Sequence, residues 1–346
     1  MGELLIDFIS TKRGHSVGNA PAFVPVAGGA PANVAVGISK LITSGAGAKL
    51  KKPGIDVPSG KVGFIGKVGD DPFGRKLKIT LGDYGIDTSA VSLSKKARTM
   101  LAFVSLTADG ERDFVFFRHP SADMLITTDD VPANYLEDAF VFHFGSIGLT
   151  TSPSRDTTIS LIHEAKRMGV VVSFDPNIRM TLWPDEATAK EEIRAAISLA
   201  DIVKMSAEEA RFITGVDDPK NAAKEILTMG PKLAAVTKGK DGSVSVTGRY
   251  GVEVLGFDVA ISGKTGDTTG AGDAFTAAML WMMSELNITD LDNFTDLEMI
   301  KIFRFANAAG AITTTRQGAI PALPTANEVK LLLKLDRGGK GEGFNA

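Results

Sequence analysis

The chain has 346 residues, 44% of them apolar, a net charge of −3 and no cysteine. That is enough apolar material for a sizeable core; α/β proteins of this length can be one large domain with an appendage, so length alone does not decide the domain count, while the missing thiols exclude disulfides, thiolate metal sites and a cysteine nucleophile. The slight acidic balance and the lack of basic tracts leave no electrostatic case for nucleic acid or an anionic membrane as partner.

Four histidines, His15, His119, His143 and His163, show no metal-ligand spacing and read as surface or core residues. The longest charge-free apolar stretch, Ala274 to Met283, falls far short of the ~18–20 residues that span a bilayer. A soluble, cytoplasmic protein is expected, or a plastid one if a transit segment has been removed.

In chain order, Leu4 to Ile9 reads as a buried strand interrupted by a carboxylate. An unpaired buried Asp is costly, so Asp7 should face a polar ligand or be paired. Thr11 to Val26 is polar and irregular. Gly28-Gly29 then lets the backbone turn sharply and approach a ligand, Pro31 suits the first turn of a helix, and Asn33 offers both a donor and an acceptor to a polyol. A plain loop with Asn33 as a cap is the bland alternative.

Residues 43–61, rich in Gly, Pro and Lys, read as a solvated loop. Val62 to Gly66 is the next strand, with Asp71-Pro72 as a helix cap and first helical residue. Thr99 to Thr107 and Arg112 to Phe117 flank Ala108-Asp109-Gly110-Glu111, a hairpin signal. These strands do not continue a βα alternation and suggest a small β appendage. Arg118 follows and faces either a ligand or a strand-end salt bridge.

Phe140 to Phe144, Val170 to Phe174, Ile202 to Met205 and Leu233 to Thr237 are short apolar runs separated by helical segments, the pattern of a parallel sheet. Ligands bind such sheets at the carboxyl ends of the strands. Asp175-Pro176-Asn177-Ile178-Arg179, Ser206-Ala207-Glu208-Glu209 and Thr237 to Gly242 occupy those ends.

Gly263-Lys264-Thr265 tempts a P-loop reading, but the Gly required five residues before the second Gly is Asp258, so that reading fails. The stretch Asp267-Thr268-Thr269-Gly270-Ala271-Gly272-Asp273 runs straight into the apolar helix from Ala274. Small residues at that helix start leave unpartnered N–H groups uncovered, a place for an anion, and put Asp273 in the first turn, where the dipole favours its charged form. A carboxylate beside an anion hole can take a proton from a hydroxyl that attacks a held phosphoryl group. Helices are further expected over Glu298 to Thr315 and Thr325 to Leu333, and residues 336–346 should fray.

The Asp267 to Asp273 string, together with Gly28-Gly29-Ala30-Pro31-Ala32-Asn33-Val34-Ala35, resembles the two signature regions of the ribokinase-like (PfkB) carbohydrate kinases. The resemblance runs from Gly2 to Pro321 and is nearest to the fructokinases of plants and bacteria. It implies a ribokinase-like α/β fold over residues 1–335: a mostly parallel central sheet flanked by helices on both faces, with a small β lid from about 8–26 and 99–117. It implies ATP-dependent phosphorylation of the 6-hydroxyl of fructose, with Asp273 as base, Gly270, Ala271 and Gly272 as anion hole and Arg179 steadying the transferred charge.

For the sugar it implies Asp7, Gly28, Gly29 and Asn33, and Arg118 if that side chain faces the pocket. For the nucleotide it implies Ser206, Thr237, Gly239 and Gly242, with Asn307 beside adenine. Glu209 would act on Mg²⁺ through water. Asp267 and Thr269, with the carbonyls of Thr313, Arg316 and Gly318, resemble a monovalent-cation site for K⁺, although Ala322 stands where ribokinase has a Ser ligand. Two copies commonly pair through the lid in such kinases. A kinase for ribose, 2-keto-3-deoxygluconate or a nucleoside is the alternative within the family, and a catalytically silent regulatory relative the alternative outside catalysis.

Overall fold

The four apolar runs at 140–144, 170–174, 202–205 and 233–237 become neighbouring parallel strands. The computed structural model describes residues 1–45, 51–52, 55–56, 60–107, 112–259, 267–336 and 342–345. Along them run β1 (Leu5–Ser10), β2 (Phe23–Gly28), α1 (Ala30–Ser44), the two-residue strands β3 (Lys51–Lys52) and β4 (Ile55–Asp56), β5 (Gly66–Gly69), α2 (Pro72–Asp83), β6 (Val91–Ser94), β7 (Leu101–Leu106) and β8 (Arg112–Phe117). There follow β9 (Val141–Gly145), α3 (Ser154–Arg167), β10 (Val171–Asp175), α4 (Glu186–Leu199), β11 (Ile202–Ser206), α5 (Ala207–Thr214), α6 (Pro219–Thr228) and β12 (Leu233–Thr237). The last are β13 (Ser243–Thr247), β14 (Tyr250–Val254), α7 (Ala271–Glu285), α8 (Asp296–Thr313), α9 (Ala326–Leu335) and β15 (Glu342–Asn345).

The main sheet has the order β15-β14-β13-β12-β11-β10-β9, parallel from β9 to β12 and antiparallel beyond. Strands buried on both faces need a helical layer on each. Leu161, Ile193, Ile213 and Ile226 bring α3 to α6 onto one face, and Val34, Leu280, Phe303 and Val329 bring α1, α7, α8 and α9 onto the other. Helix α7 is buried on every side from Asp273 to Met283, as expected for a segment apolar around its whole circumference. Among the described residues no helix is long and apolar enough to cross a membrane.

A second sheet, β2-β1-β7-β8, forms the lid. Its composition corrects the reading of the first run. Leu5–Ser10 pairs antiparallel with β2 and parallel with β7, so it belongs to the lid along its whole length. Residues 108–111, expected to turn between β7 and β8, lie outside the described residues, as do 46–50, 53–54 and 57–59 of the loop at 43–61 and the Gly263-Lys264-Thr265 segment. The strand expected at Val62–Gly66 starts its regular ladder later, at β5, paired parallel with β6. Asp71 caps α2 by accepting from Gly74 N–H (2.9 Å), with Pro72 in the first turn. Fraying was expected of residues 336–346, yet Glu342–Asn345 pairs with β14 as the sheet's edge. Backbone pairing does not need the apolar signal that the sequence lacks there.

Candidate active site

The lid, the start of α1, the ends of β10, β11 and β12 and the start of α7 enclose a cavity of about 810 Å³. Lid residues Asp7, Val104, Phe114 and Phe116 form one side, and Asn33, Asp175, Arg179, Lys204, Ser206, Thr237, Gly239 and Asp273 line the rest. The carboxyl ends of the parallel strands therefore meet the lid, as the sheet topology requires.

Two helices begin at this cavity. Gly29 stands before α1 at φ +112°, and a Cβ there would overlap the carbonyl of Glu3. At Gly28 a Cβ would overlap the Asp7 carboxylate. The double glycine thus lets the turn lie directly on β1, a conformation and an approach closed to other residues. Gly270 precedes α7 at φ +79°. The Ala271 N–H is taken by the Thr268 carbonyl (3.2 Å), whereas the N–H groups of Gly272 and Asp273 have no backbone acceptor among the described residues. Of the N–H groups expected to form an anion hole, that of Ala271 thus has a backbone partner here, and those of Gly272 and Asp273 are left without one among the described residues.

Asn33 lies on α1 and Asp273 in the first turn of α7, and Asn33 Nδ2 donates to Asp273 Oδ2 at 2.7 Å. Both side chains are more than nine-tenths buried, and Asn33 Oδ1 has no partner among the described residues. Asn33 thus holds the expected base as well as facing the cavity. Burial pushes the Asp273 carboxyl up to about 6; the Asn33 bond opposes this, Asp175 adds to it, and Lys204 and Arg179 oppose it. Burial likewise pushes Asp7 up to about 7, with Arg179 drawing it down and Asp273 raising it. The two carboxylates therefore share one electrostatic environment.

Arg179 donates to its neighbour's carbonyl, Ile178 O (3.1 Å), and its guanidinium lies 5.6 Å from the centre of the Phe114 ring on the lid. Glu209 and Ser206 form a capping box at the start of α5: Glu209 accepts from Ser206 N–H (2.9 Å) and Ile178 N–H (2.7 Å). Burial, then Asp175, raises the Glu209 carboxyl above its ordinary range. Asp267 accepts from Gly318 N–H (2.8 Å) and Thr269 N–H (3.0 Å), tying the turn before α7 to the one after α8.

Arg118 does not reach the cavity. It is 1% exposed, with Nε donating to Asp123 Oδ2 (2.9 Å), Nη1 to Thr150 Oγ1 (2.6 Å) and Nη2 to the Ile147 carbonyl (3.0 Å). A guanidinium so fully used ties the end of β8 to the main body, and the salt-bridge alternative holds. Asn307 donates to the carbonyls of Val254 and Leu255 (3.1 and 3.3 Å) and is not among the lining residues. Gly28, Gly242, Thr313, Arg316 and Gly318 are likewise not among the lining residues, and Arg316 is paired with Glu328. Residues not singled out from the sequence are Glu3, which accepts from Ala30 N–H (2.9 Å), and Lys204, which is buried against Asp175 of the expected strand-end segment (3.0 Å). The signal for Lys204 was present: a lysine inside an otherwise apolar strand run.

Residues 1–326 match the family described as pfkB family carbohydrate kinase. The chain belongs to this family. Among curated relatives, this pfkB kinase is 42% identical over 340 residues to Probable fructokinase-7 of Arabidopsis thaliana, covering 97% of this chain and 92% of that protein. It is also 42% identical to Fructokinase-2 of Solanum lycopersicum, covering 96% of this chain and 94% of that one. Among solved structures, the fructokinase of Vibrio cholerae O395 in a fructose, ADP and calcium ion bound form superposes with a TM-score of 0.80 at 33% identity, covering 96% of this chain and 97% of that one. The fructokinase of Xylella fastidiosa with bound ATP gives 0.82 at 32% identity, covering 97% and 98%.

Burial raises the folded-state pKa of Asp273 above the ordinary carboxyl value, so the folded protein holds that proton more tightly than the unfolded chain. The stability this contributes is full below about pH 4 and is lost as pH rises through 6. Asp273→Asn should therefore melt higher than the parent at pH 8, by about 2–5 °C, and the difference should close below about pH 4. Calorimetric melting at the two pH values checks this, and an equal or lower melting temperature at pH 8 counts against the buried, ionised state.

Proposed function

We propose that this pfkB kinase transfers the γ-phosphoryl group of ATP to the 6-hydroxyl of D-fructose. The observation that carries the reading is the 2.7 Å bond from Asn33 to Asp273, which sets a carboxylate at a helix start in the same cavity as Asp7. The curated relatives named fructokinase over nearly the whole chain support fructose as the sugar, as does the Vibrio cholerae protein's form with fructose and ADP.

Asp273 takes the proton of the 6-hydroxyl, and that oxygen forms its bond to the γ-phosphorus as the bond from phosphorus to the β–γ bridging oxygen breaks. The electron pair leaves with ADP, and Asp273 later releases the proton to solvent. A base with a pKa near 6 is ionised at neutral pH yet basic enough to accept. The N–H groups of Gly272 and Asp273 donate to the equatorial oxygens, Arg179 adds charge from the lid side, and Asp7 and Asn33 hold sugar hydroxyls. Donors fixed in a water-poor cavity need no reorganisation as charge develops. Ser206, Thr237 and Gly239 line the nucleotide side.

Among the described residues no cluster of three or more His, Asp or Glu could hold a metal ion alone. Mg²⁺ usually takes one or two carboxylates and fills its shell with phosphate oxygens and water; Glu209 on the wall fits that donor set. Mg²⁺ would there neutralise the β- and γ-phosphates. For K⁺, the Asp267 carboxylate joins the two turns that carry Thr269 and Gly318, and the Vibrio cholerae double mutant was solved in a potassium ion bound form. The absence of cysteine fits the cytoplasm; a relative in Arabidopsis thaliana is named chloroplastic.

The outward lid face supports a homodimer. Phe8, Phe23, Phe103 and Phe117 form a run of ring contacts there, and Phe117 is 58% exposed. A half-buried aromatic cluster that ends in an exposed ring favours a second copy over water.

ADP release from a panel of sugars with ATP and Mg²⁺, with and without K⁺, should give fructose the highest kcat/KM and rise with K⁺; a higher value for ribose, 2-keto-3-deoxygluconate or a nucleoside would replace fructose. Asp7→Asn should raise KM for the sugar about tenfold or more with a smaller fall in kcat, and an unchanged KM would remove Asp7 from the sugar site. Light scattering should show a dimer that Phe117→Glu splits into monomers. A dimer unaffected by that change would place the contact elsewhere.

A further inference from the structure

Lys204 occupies a position that a cation should avoid. It lies on β11, 5% exposed, on the sheet face that carries Ile202 and packs against α7. Its Nζ comes so close to the start of α7 that a Cβ at Gly272 would lie 2.9 Å from it, the one heavy atom within 4 Å among the described residues apart from the helix's own nearby backbone and the chain neighbours. The start of a helix is the positive end of its dipole, which disfavours an ammonium. Burying a lysine carries a desolvation cost that a single ion pair seldom recovers. Asp175 accepts from Lys204 Nζ at 3.0 Å but also from Thr276 Oγ1 at 3.0 Å, and the Asp273 and Glu209 carboxylates face the same space. A structural pairing with Asp175 explains why Lys204 is charged. It does not explain why the charge is brought to the mouth of α7 beside two free N–H groups.

We infer that Lys204 is a catalytic residue that contacts the γ-phosphoryl group of the nucleotide, and that position 272 is glycine so that the Lys204 ammonium can reach the anion hole. This rests on the kinase reading above. In that arrangement the hole is a set of three donors, the N–H groups of Gly272 and Asp273 and the Lys204 ammonium, with the negative charge of the phosphoryl group completing the Lys204 environment. A compact ammonium suits this place because it meets phosphate as a point charge from a strand whose backbone cannot approach. Arg179, from the opposite side, supplies the second cation.

The test compares a non-hydrolysable β,γ-imido ATP analogue with ADP, measured by calorimetry on the full chain with Mg²⁺, so that it does not depend on which sugar is phosphorylated. Lys204→Met should weaken the triphosphate analogue about tenfold or more, leave ADP within about threefold, and lower kcat by ~10²-fold. Gly272→Ala meets only Lys204 Nζ, so it should fold, lower kcat, and add little further loss in a Lys204→Met background, because both changes act through one ammonium.

Should Lys204→Met fail to fold, Lys204→Gln, which can still donate to Asp175, takes its place in the same comparison. Equal loss for ADP and the triphosphate, or turnover within threefold of the parent, overturns the inference. A Gly272→Ala cost that is the same with and without Lys204 also overturns it, since the methyl group would then act on the phosphate directly. A parent protein that binds neither nucleotide rejects the kinase reading itself, whereas a parent that binds both while Lys204→Met matches it rejects only the role of Lys204.

Discussion

The hydrogen bond from Asn33 to Asp273 joins two residues 240 positions apart in the chain, and the site exists only where the helices that carry them begin side by side. That proximity comes from packing in the layer below. Helices α1 and α7 lie on the same face of the main sheet, and a Cβ on Gly37 of α1 would fall 2.7 Å from Cβ of Ala277 on α7. Small residues at the crossing let the two axes approach closely, and the two N-termini then converge on one cavity. Each is preceded by a glycine at positive φ, Gly29 and Gly270, so the chain turns into each helix without a side chain over the opening. A sugar hydroxyl, a carboxylate and phosphate oxygens can meet there because the backbone stands bare on both sides.

The same convergence makes the site electrostatically demanding. Asp7, Asp175, Glu209 and Asp273 stand around one cavity with Lys204 and Arg179 as the counter-charges, and burial raises the pKa of Asp7, Glu209 and Asp273. Such an arrangement costs stability in the resting protein, a common trade where activity requires groups ready to react. The apolar layers, with α7 buried on every side, supply the rigidity against which these charges are held. The lid closes over them through Arg118, whose guanidinium ties the end of β8 to residues 123, 147 and 150.

Much of this was legible in the residues. The runs that became β9 to β12 are short, apolar and evenly spaced, and periodicity reports burial on both faces directly. The helix starts at Asp71-Pro72 and at Gly270 are set by local backbone chemistry, which made both readable. What the residues did not reveal is which sheet a strand joins: Leu5–Ser10 has the pattern of a buried strand whether it enters the main sheet or the lid. Nor could local reading decide Arg118, since its acceptors come from two separate turns, or the pairing of Glu342–Asn345, which rests on backbone groups. The acceptors of Asn307, the carbonyls of Val254 and Leu255 at the end of β14, were hidden for the same reason. Lys204 is hidden by the apolar average of its run, although a charge where none should be buried marks it just as it marks Asp7.

The account stands on Asp273 as the group that removes the proton. Its most direct test is the turnover of Asp273→Ala with fructose, ATP and Mg²⁺, taken on protein shown by circular dichroism and melting to be folded. A fall in kcat of about 10²–10⁴-fold is expected for the loss of a general base. Turnover within about tenfold of the parent would contradict the assignment and, with it, the mechanism built on the meeting of the two helix starts.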